Sequence, residues 1–439
     1  MKIAMIGTGY VGLVSGVCFA DFGHQVVCVD KLRAKIQALQ DGVLPIYEPG
    51  LEEVMARNVG EGRLSFTTDL ATAVSAADAV FIAVGTPARR GDGHADLSYV
   101  TAAAKEIGMA LDGYTVVVTK STVPVGTNRM VARVVREANP SASFDIVSNP
   151  EFLREGAAVE DFMKPDRVVV GVETEEAKAL LSAIYKPLYL RDFPIVYTSL
   201  ETAEVIKYAA NAFLATKISF INEIAALCEV VNADIKDVAK GIGMDGRIGN
   251  KFLHAGPGYG GSCFPKDTAA LAKTGADHGV AMTLTETAMS VNLTTKMRMI
   301  DKIIRLLDDS VSGKTLTVLG VTFKPETDDM RDAPSLTVLP PLMDQGANIR
   351  VVDPHGRAEG EALLPGVEWF LDPYEAAKDA DCLIILTEWN AFRALDLNRI
   401  ATSMAAPKLA DLRNIYDRET ALNAGFSAYC GVGRGTVAV

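Results

Sequence analysis

Cysteine is scarce in this chain. The six residues, at 18, 28, 228, 263, 382 and 430 of 439, show no paired framework spacing, no Cys-x-x-Cys and no Cys/His ligand pattern. Disulfides and a metal site are therefore not expected, and reduced thiols in a cytosol are. Positive charge is also in deficit: 43 Lys and Arg against 55 Asp and Glu leave a formal net charge of −12. That balance argues against nucleic acid or an anionic membrane surface as partner. An anionic small substrate remains compatible, provided lysines and arginines are placed locally around it. No uninterrupted apolar run reaches the ~18 residues of a membrane span. The apolar start, MKIAMIGTGYVGLVSGVCFA, has Lys2 ahead of it as a secretion signal does, but Gly7, Gly9, Gly12 and Gly16 interrupt it. A cytoplasmic protein is expected. What remains is 49% hydrophobic and 22% charged, a globular composition long enough for two or three domains.

The stretch Phe252 to Asp267, FLHAGPGYGGSCFPKD, organises the rest. Gly256, Gly258, Gly260 and Gly261 suit a loop whose backbone approaches a ligand closely. Pro265 then sits in the first turn of a helix that Gly275 or Gly279 ends. A thiol at 263, just ahead of that helix, faces its N–H groups and positive dipole end, which favour the thiolate. Lys266 adds a nearby cation. The alternative for this segment alone is a turn carrying a structural cysteine. The other five cysteines lie in apolar helices or strands and read as small core residues.

The N-terminal pattern is a dinucleotide site. Strand Lys2–Ile6 leads into Gly7-Thr8-Gly9-Tyr10-Val11-Gly12, a helix to about Phe22, and strand Gln25–Val29 ending in Asp30. Gly7 turns the chain, Gly9 admits the pyrophosphate, and Gly12 allows close packing of helix on strand. Asp30 accepts from the adenosine ribose and repels a 2′-phosphate, which favours NAD, although Arg33 stands nearby. Apolar strands follow at Asp78–Val84, opening into Gly85-Thr86-Pro87, and at Thr115–Thr119, opening into Lys120-Ser121-Thr122. Thr86 and Thr122 thus leave strand ends on the ligand side of the sheet. A strand at Asp145–Ser148 releases Asn149-Pro150-Glu151-Phe152-Leu153-Arg154-Glu155. Glu151 and Glu155 share a face if that segment is helical; two solvated acids are the alternative.

From about Leu200 a helical period runs for some thirty residues, placing Lys207 and Asn211 on one face. Such a helix joins its neighbours and packs against a copy of itself, so a homodimer is expected. Lys207 sits among apolar residues, where a bare ammonium needs a partner. Beyond it, strands at Lys314–Gly320 and Asn348–Asp353, and the echo of AVSAADAVFIAVG in AAKDADCLIILT, indicate a second doubly wound unit without the glycine fingerprint. Lys324 and Arg413 leave strand ends there and suit a nucleotide or phosphate; salt-bridged surface cations are the alternative.

These stretches together resemble the nucleotide-sugar 6-dehydrogenases, the UDP-glucose/GDP-mannose dehydrogenase family. The resemblance is carried by GTGYVG, PIYEPGL (45–51), GTP (85–87), KSTVPVGT (120–127), SNPEFLREG (148–156), IKYAANAFLATKISFINEIA (206–225), GRIGNKFL (246–253), GYGGSCFPKD (258–267), FKPETDDMRD (323–332) and DLRNIYD (411–417), essentially the whole chain. It implies an α/β fold with two Rossmann-like doubly wound domains joined by a long central helix. The NAD-binding domain spans 1–199, a helical dimerisation domain with the catalytic loop 200–299, and a UDP-sugar-binding domain 300–439. It implies oxidation of a sugar C6 alcohol to the carboxylate with two NAD per turnover. Phe264 after the cysteine, where GDP-mannose enzymes carry Leu, together with RIGNKFL and NPEFLREG, favours UDP-glucose; GDP-mannose or another nucleotide sugar is the alternative.

By the same resemblance, Cys263 is the nucleophile, and Lys207 and Asn211 hold the reacting oxygen with Asp267 in support. Glu151 and Thr122 serve proton transfer through water. Tyr10 and Val11 join Gly7, Gly9, Gly12, Asp30, Thr86 and Thr122 at the cofactor, with Lys35, Lys266 and Arg331 near it and Glu155 near both ligands. Substrate contacts fall on Phe152, Leu153, Arg154, Phe252, Leu253, His254, Ala255, Gly256, Gly260, Phe264, Lys324 and Arg413. Arg247 reaches the neighbouring subunit's substrate. At His254 this chain departs from relatives that carry lysine.

Overall fold

The computed structural model describes residues 1–87, 89, 94–189 and 193–438. It divides into two compact units, Met1–Ala210 with Lys273–Gly279, and Asn211–Ala272 with Val280–Val439.

The first unit is built on an eight-stranded sheet. Its strands are β1 (Lys2–Ile6), β2 (Gln25–Val29), β3 (Leu64–Thr67), β4 (Ala79–Ile82), β5 (Tyr114–Thr119), β6 (Ser143–Ser148), β7 (Val168–Gly171) and β8 (Ile195–Thr198), in the order β3-β2-β1-β4-β5-β6-β7-β8. Pairing is parallel except between β6 and β7. Parallel strands covered on both faces need side chains that bury on both faces, so they read as continuous apolar runs rather than alternations. Along β1, Ile3 and Met5 join one core layer with Phe19, Cys28 and Phe81, while Ala4 and Ile6 join the other with Val80, Ile82 and Val117. The chain reverses direction across the sheet between β1 and β4, the point at which ligands bind in such folds.

The second unit repeats this order. Strands β9 (Thr315–Leu319), β10 (Asn348–Val352), β11 (Glu368–Phe370), β12 (Cys382–Ile385), β13 (Lys408–Asp411), β14 (Ala428–Gly431) and β15 (Arg434–Ala438) lie in the order β11-β10-β9-β12-β13-β14-β15. Only the terminal β14–β15 pair is antiparallel. Asp353 follows β10 as Asp30 follows β2, but its carboxylate is consumed internally. It accepts from the backbone of Val321 (2.7 Å), Thr322 (3.1 Å), His355 (3.0 Å) and Gly356 (2.7 Å).

Four helices carry or adjoin the candidate segments. Helix α1 is Tyr10–Asp21, α2 is Thr127–Ala138, α3 is Leu200–Val231 and α4 is Phe264–Asp277. Gly275 stays inside α4, and Gly279, at φ +72°, stands two residues beyond its end. Segment 151–156 is not helical. Glu151 and Glu155 therefore do not share a helix face. Backbone N–H groups in and just beyond this segment go to carboxylates instead: Leu153 to Glu151 (2.5 Å), Arg154 to Asp161 (2.8 Å), and Gly156 and Ala158 to Glu48 (both 2.7 Å).

Candidate active site

The turn after β1 fits a dinucleotide. Gly7 holds φ +101°, a conformation side chains resist, and a Cβ on Gly12 would stand 2.0 Å from the Gly7 carbonyl oxygen. On Gly9 a Cβ would meet nothing within 4 Å, so the start of α1 is open where a pyrophosphate would sit on its N–H groups. Asp30 accepts from Thr8 N (3.1 Å), Thr8 Oγ1 (2.7 Å) and Leu32 N (3.1 Å), and Lys35 Nζ stands 3.5 Å away. Burial alone would raise its carboxyl. The Leu32 and Thr8 hydrogen bonds and Lys35 overcome that and hold it below the usual carboxylate range. A ribose thus meets a carboxylate rather than an acid. These residues fit NAD.

Two expected cofactor residues hold protein partners through their hydroxyls. Thr86 Oγ1 donates to the Thr122 carbonyl (2.9 Å), joining the loops after β4 and β5. Tyr10 Oη donates to the buried Glu48 carboxylate and accepts from Gly156 N (3.0 Å). Glu48, in PIYEPGL, thereby ties the glycine turn to the segment carrying Glu151 and Glu155. The sequence displays the stretch but gives no sign of this duty. Val11 lies half-buried in the first turn of α1.

Glu151 and Lys207 form a buried ion pair, Oε1 to Nζ 3.1 Å, with both side chains 4% exposed. The expectation that Lys207 needs a partner is met by this acid. Lys207 Nζ also lies 5.2 Å from the centre of the Phe152 ring, on which Arg167 stacks at 3.6 Å. Leu153 packs against the first core layer and Glu155 is half-buried. Arg154 is directed to Asp161 (Nη2 to Oδ1 2.5 Å) with its side chain 62% exposed. Sequence reasoning missed Lys120, which is buried behind this segment.

In the second unit, Cys263 occupies the cap of α4, its carbonyl accepting from Asp267 N (2.8 Å) and its Sγ 3.6 Å from Ser262 Oγ. It is half-exposed, whereas Cys18, Cys28, Cys228, Cys382 and Cys430 are buried. Burial pushes the Cys28 and Cys430 thiols up to about 12. Asp267, wholly buried, accepts from Asn211 Nδ2 (2.6 Å) and pairs with Lys266 Nζ (2.5 Å). Helix α3 carries Lys207 and Asn211 one turn apart in sequence.

Two of the loop glycines lie against another segment of the protein. A Cβ on Gly260 would stand 2.3 Å from the Asp332 carbonyl oxygen, and one on Gly261 2.7 Å from the Phe323 ring. Their smallness admits the 323–332 segment, and Gly261 N donates to the Arg331 carbonyl (2.7 Å). Asn292 pins Tyr259 at both ends, accepting from its N (2.8 Å) and donating to its O (3.1 Å), and Asn222 Oδ1 accepts from Gly256 N (2.9 Å). Phe252 adopts φ +64°, unusual for a bulky residue, and its ring packs edge-on to Phe264 at 6.2 Å. Leu253 and Ala255 are buried and His254 is exposed.

Arg413 lies beside this loop, within 3.5 Å of where a Gly256 Cβ would be. It donates to the carbonyls of Leu386 (2.7 Å) and Phe323 (3.0 Å) and pairs with Glu388 (3.0 Å). Lys324 Nζ lies 5.4 Å from the centre of the Phe323 ring. Arg331 clamps Asp329 through Nε (2.8 Å) and Nη2 (2.7 Å), and Arg247, 90% exposed, pairs with Asp245 (2.6 Å).

Family models match along the chain: the NAD binding domain of the UDP-glucose/GDP-mannose dehydrogenase family at 1–189, its central domain at 201–294 and its UDP binding domain at 317–418. A UDP-glucose 6-dehydrogenase of Rhizobium meliloti is 59% identical over 99% of this chain and 100% of its own length. UDP-glucose 6-dehydrogenase TuaD of Bacillus subtilis is 48% identical over 99% of this chain and 94% of its own. The solved UDP-glucose dehydrogenase of Pyrobaculum islandicum superposes with a TM-score of 0.91 at 40% identity, covering 98% of this chain and 97% of that one. With three family domains in sequence and such identity sustained from end to end, the chain belongs to the UDP-glucose/GDP-mannose dehydrogenase family and is an NAD-dependent dehydrogenase acting on a nucleotide sugar.

Proposed function

We propose that this protein oxidises UDP-glucose to UDP-glucuronate in two steps through a covalent adduct on Cys263, supplying a precursor for polysaccharide synthesis. One observation carries the reading: the half-exposed thiol caps a helix beside the buried Asn211–Asp267 pair and the half-buried Lys266, while the other five thiols are buried. That environment suits a reactive cysteine rather than a packing one.

The first step takes a hydride from C6 and a proton from its hydroxyl, leaving an aldehyde. An aldehyde carbon has no hydride in position to leave. Thiolate addition forms an S–C6 bond, moves the carbonyl pair onto oxygen, and restores a tetrahedral carbon that can lose a second hydride. Bound NAD supplies the acceptor for each hydride. The thioester is then opened by water: a C–O bond forms, the S–C bond breaks, and the thiolate returns. Lys207 Nζ and Asn211 Nδ2 donate to the C6 oxygen as charge develops on it, a contribution of roughly 3 to 4 kcal/mol per donor. Glu151 takes the proton of the attacking water, with Thr122 in the relay. Asp267 fixes the Asn211 amide, so the donor hydrogen faces one way. Lys324, Arg413 and the 252–256 backbone serve the UDP moiety, and Arg247, with its exposed guanidinium, serves a neighbouring subunit's substrate.

The functional division 1–199, 200–299 and 300–439 is retained beside the two compact units. The partner is a second copy through α3, and the setting is the cytoplasm, as the scarce, unpaired cysteines suggest.

The deciding measurement is NADH formed per sugar consumed. Two per UDP-glucose are expected. One would mean that oxidation stops at the aldehyde. NADH with GDP-mannose alone would move the substrate, and none with any nucleotide sugar would leave a sensing protein.

A further inference from the structure

Lys120 leaves the C-terminal end of β5 and is 4% exposed. Its ammonium donates to two neutral oxygens, Asn149 Oδ1 and Tyr185 Oη, each at 3.2 Å. Tyr185 Oη in turn donates to Asn149 Oδ1 at 2.6 Å, closing a triangle. The rings of Phe162 and Tyr185 lie 5.8 and 5.9 Å from Nζ. Asn149 is fastened further through Nδ2 to the Val169 carbonyl (2.8 Å) and through its own N to the Thr119 carbonyl (2.9 Å). Pro150 and Glu151 follow directly. A buried charge is a poor stabiliser, and an apolar chain of similar length would fill the same space at lower cost. The ammonium therefore calls for a use other than packing.

We propose that Lys120 is a positioning residue for Glu151: it locks the Asn149-Pro150-Glu151 corner through Asn149 and sets a second positive charge beside the Glu151–Lys207 pair. The inference rests on the role given to Glu151 above. The titratable groups facing Lys120 are Glu151, Lys207 and Tyr185. Burial drags its ammonium down, Lys207 adds to that, and Glu151 opposes it, with the result near 8. Burial pushes the Tyr185 phenol far up, so it stays neutral. Lys120 thus carries its charge at neutral pH and loses it as pH climbs through about 8. A neutral replacement should cost most below that pH and least above it.

The test compares full-length parent, Lys120→Met, Tyr185→Phe and the double variant, with whichever nucleotide sugar the parent oxidises, over a pH range of about 6.5 to 9.5. Melting temperature is followed in parallel. For Lys120→Met, kcat should fall about tenfold or more at neutral pH, KM should stay within about twofold, and the kcat deficit should narrow above pH 8. Tyr185→Phe should lose less, and the double variant should be little worse than Lys120→Met, because the two act as one unit. Parental kcat in folded Lys120→Met, or a deficit equal at every pH, overturns the role. Should Lys120→Met not fold, unchanged kcat in Tyr185→Phe does so. A parent inactive on every nucleotide sugar removes the functional reading itself, a result distinct from an active parent matched by its variants.

Discussion

Cys263 differs from the other cysteines in what its sulfur can meet. Those five are buried, and burial raises each of their thiols; Cys263 is half-exposed at a helix cap. Replacing its sulfur by oxygen tests covalent catalysis with little change in volume. Cys263→Ser should bind UDP-glucose and NAD near the parent level, while net turnover falls by about 10³-fold or more, since a serine alkoxide is hard to form and its ester slow to open. Calorimetric titration and NADH absorbance read the two quantities, and parental turnover would end the thiohemiacetal scheme. Cys263 drew notice by its place ahead of a helix, and Lys207 and Asn211 by their spacing of four, whereas the roles expected of Asn211, Asp267 and Glu151 came from the family resemblance. Glu48 and Lys120 were not legible. Their roles are set by backbone groups and neutral oxygens distant in sequence, such as Gly156 N and Tyr185 Oη, which no local pattern announces.

At the level of elements, β1 and β2 match the sequence reading residue for residue, and the other strands it anticipated fall within a few residues, because buried parallel strands are apolar runs with polar ends. Segment 151–156 escaped for the reason given by its hydrogen bonds: carboxylates from 48, 151 and 161 take N–H groups that a helix would use. The glycine loop shows a subtler feature. Its glycines are expected to make room for a ligand, and Gly260 and Gly261 also make room for 323–332. A methyl group at Gly260 must displace the backbone at Asp332, a shift of a kind that costs about 1–3 kcal/mol. Gly260→Ala should accordingly lower the melting temperature by several degrees and raise KM for UDP-glucose more than KM for NAD. Circular dichroism melting and steady-state kinetics suffice. An unmoved KM for the sugar nucleotide would show that the junction does not shape its site.

On the scale of the whole molecule, an acidic chain leaves a row of large apolar side chains on the surface of α3. Phe213, Phe220 and Leu227, seven residues apart, are 65%, 49% and 54% exposed, and Val230 is 78% exposed. A seven-residue step keeps side chains near one line along a helix, the spacing of a helix–helix seam. Scattered exposed leucines need no explanation, but an aligned stripe does. In the proposed dimer a second copy would supply the same stripe by symmetry. Burying the exposed parts of two phenylalanines from each of two copies contributes roughly 3–7 kcal/mol towards the cost of association. Phe213→Asp with Phe220→Asp replaces that gain by like charges facing each other across the axis. Light scattering on the parent should give twice the chain mass, and on the double variant the chain mass itself, with the far-ultraviolet spectrum unchanged. A variant that keeps the doubled mass would place the contact elsewhere, and a monomeric parent would remove the dimer and with it the role given to Arg247.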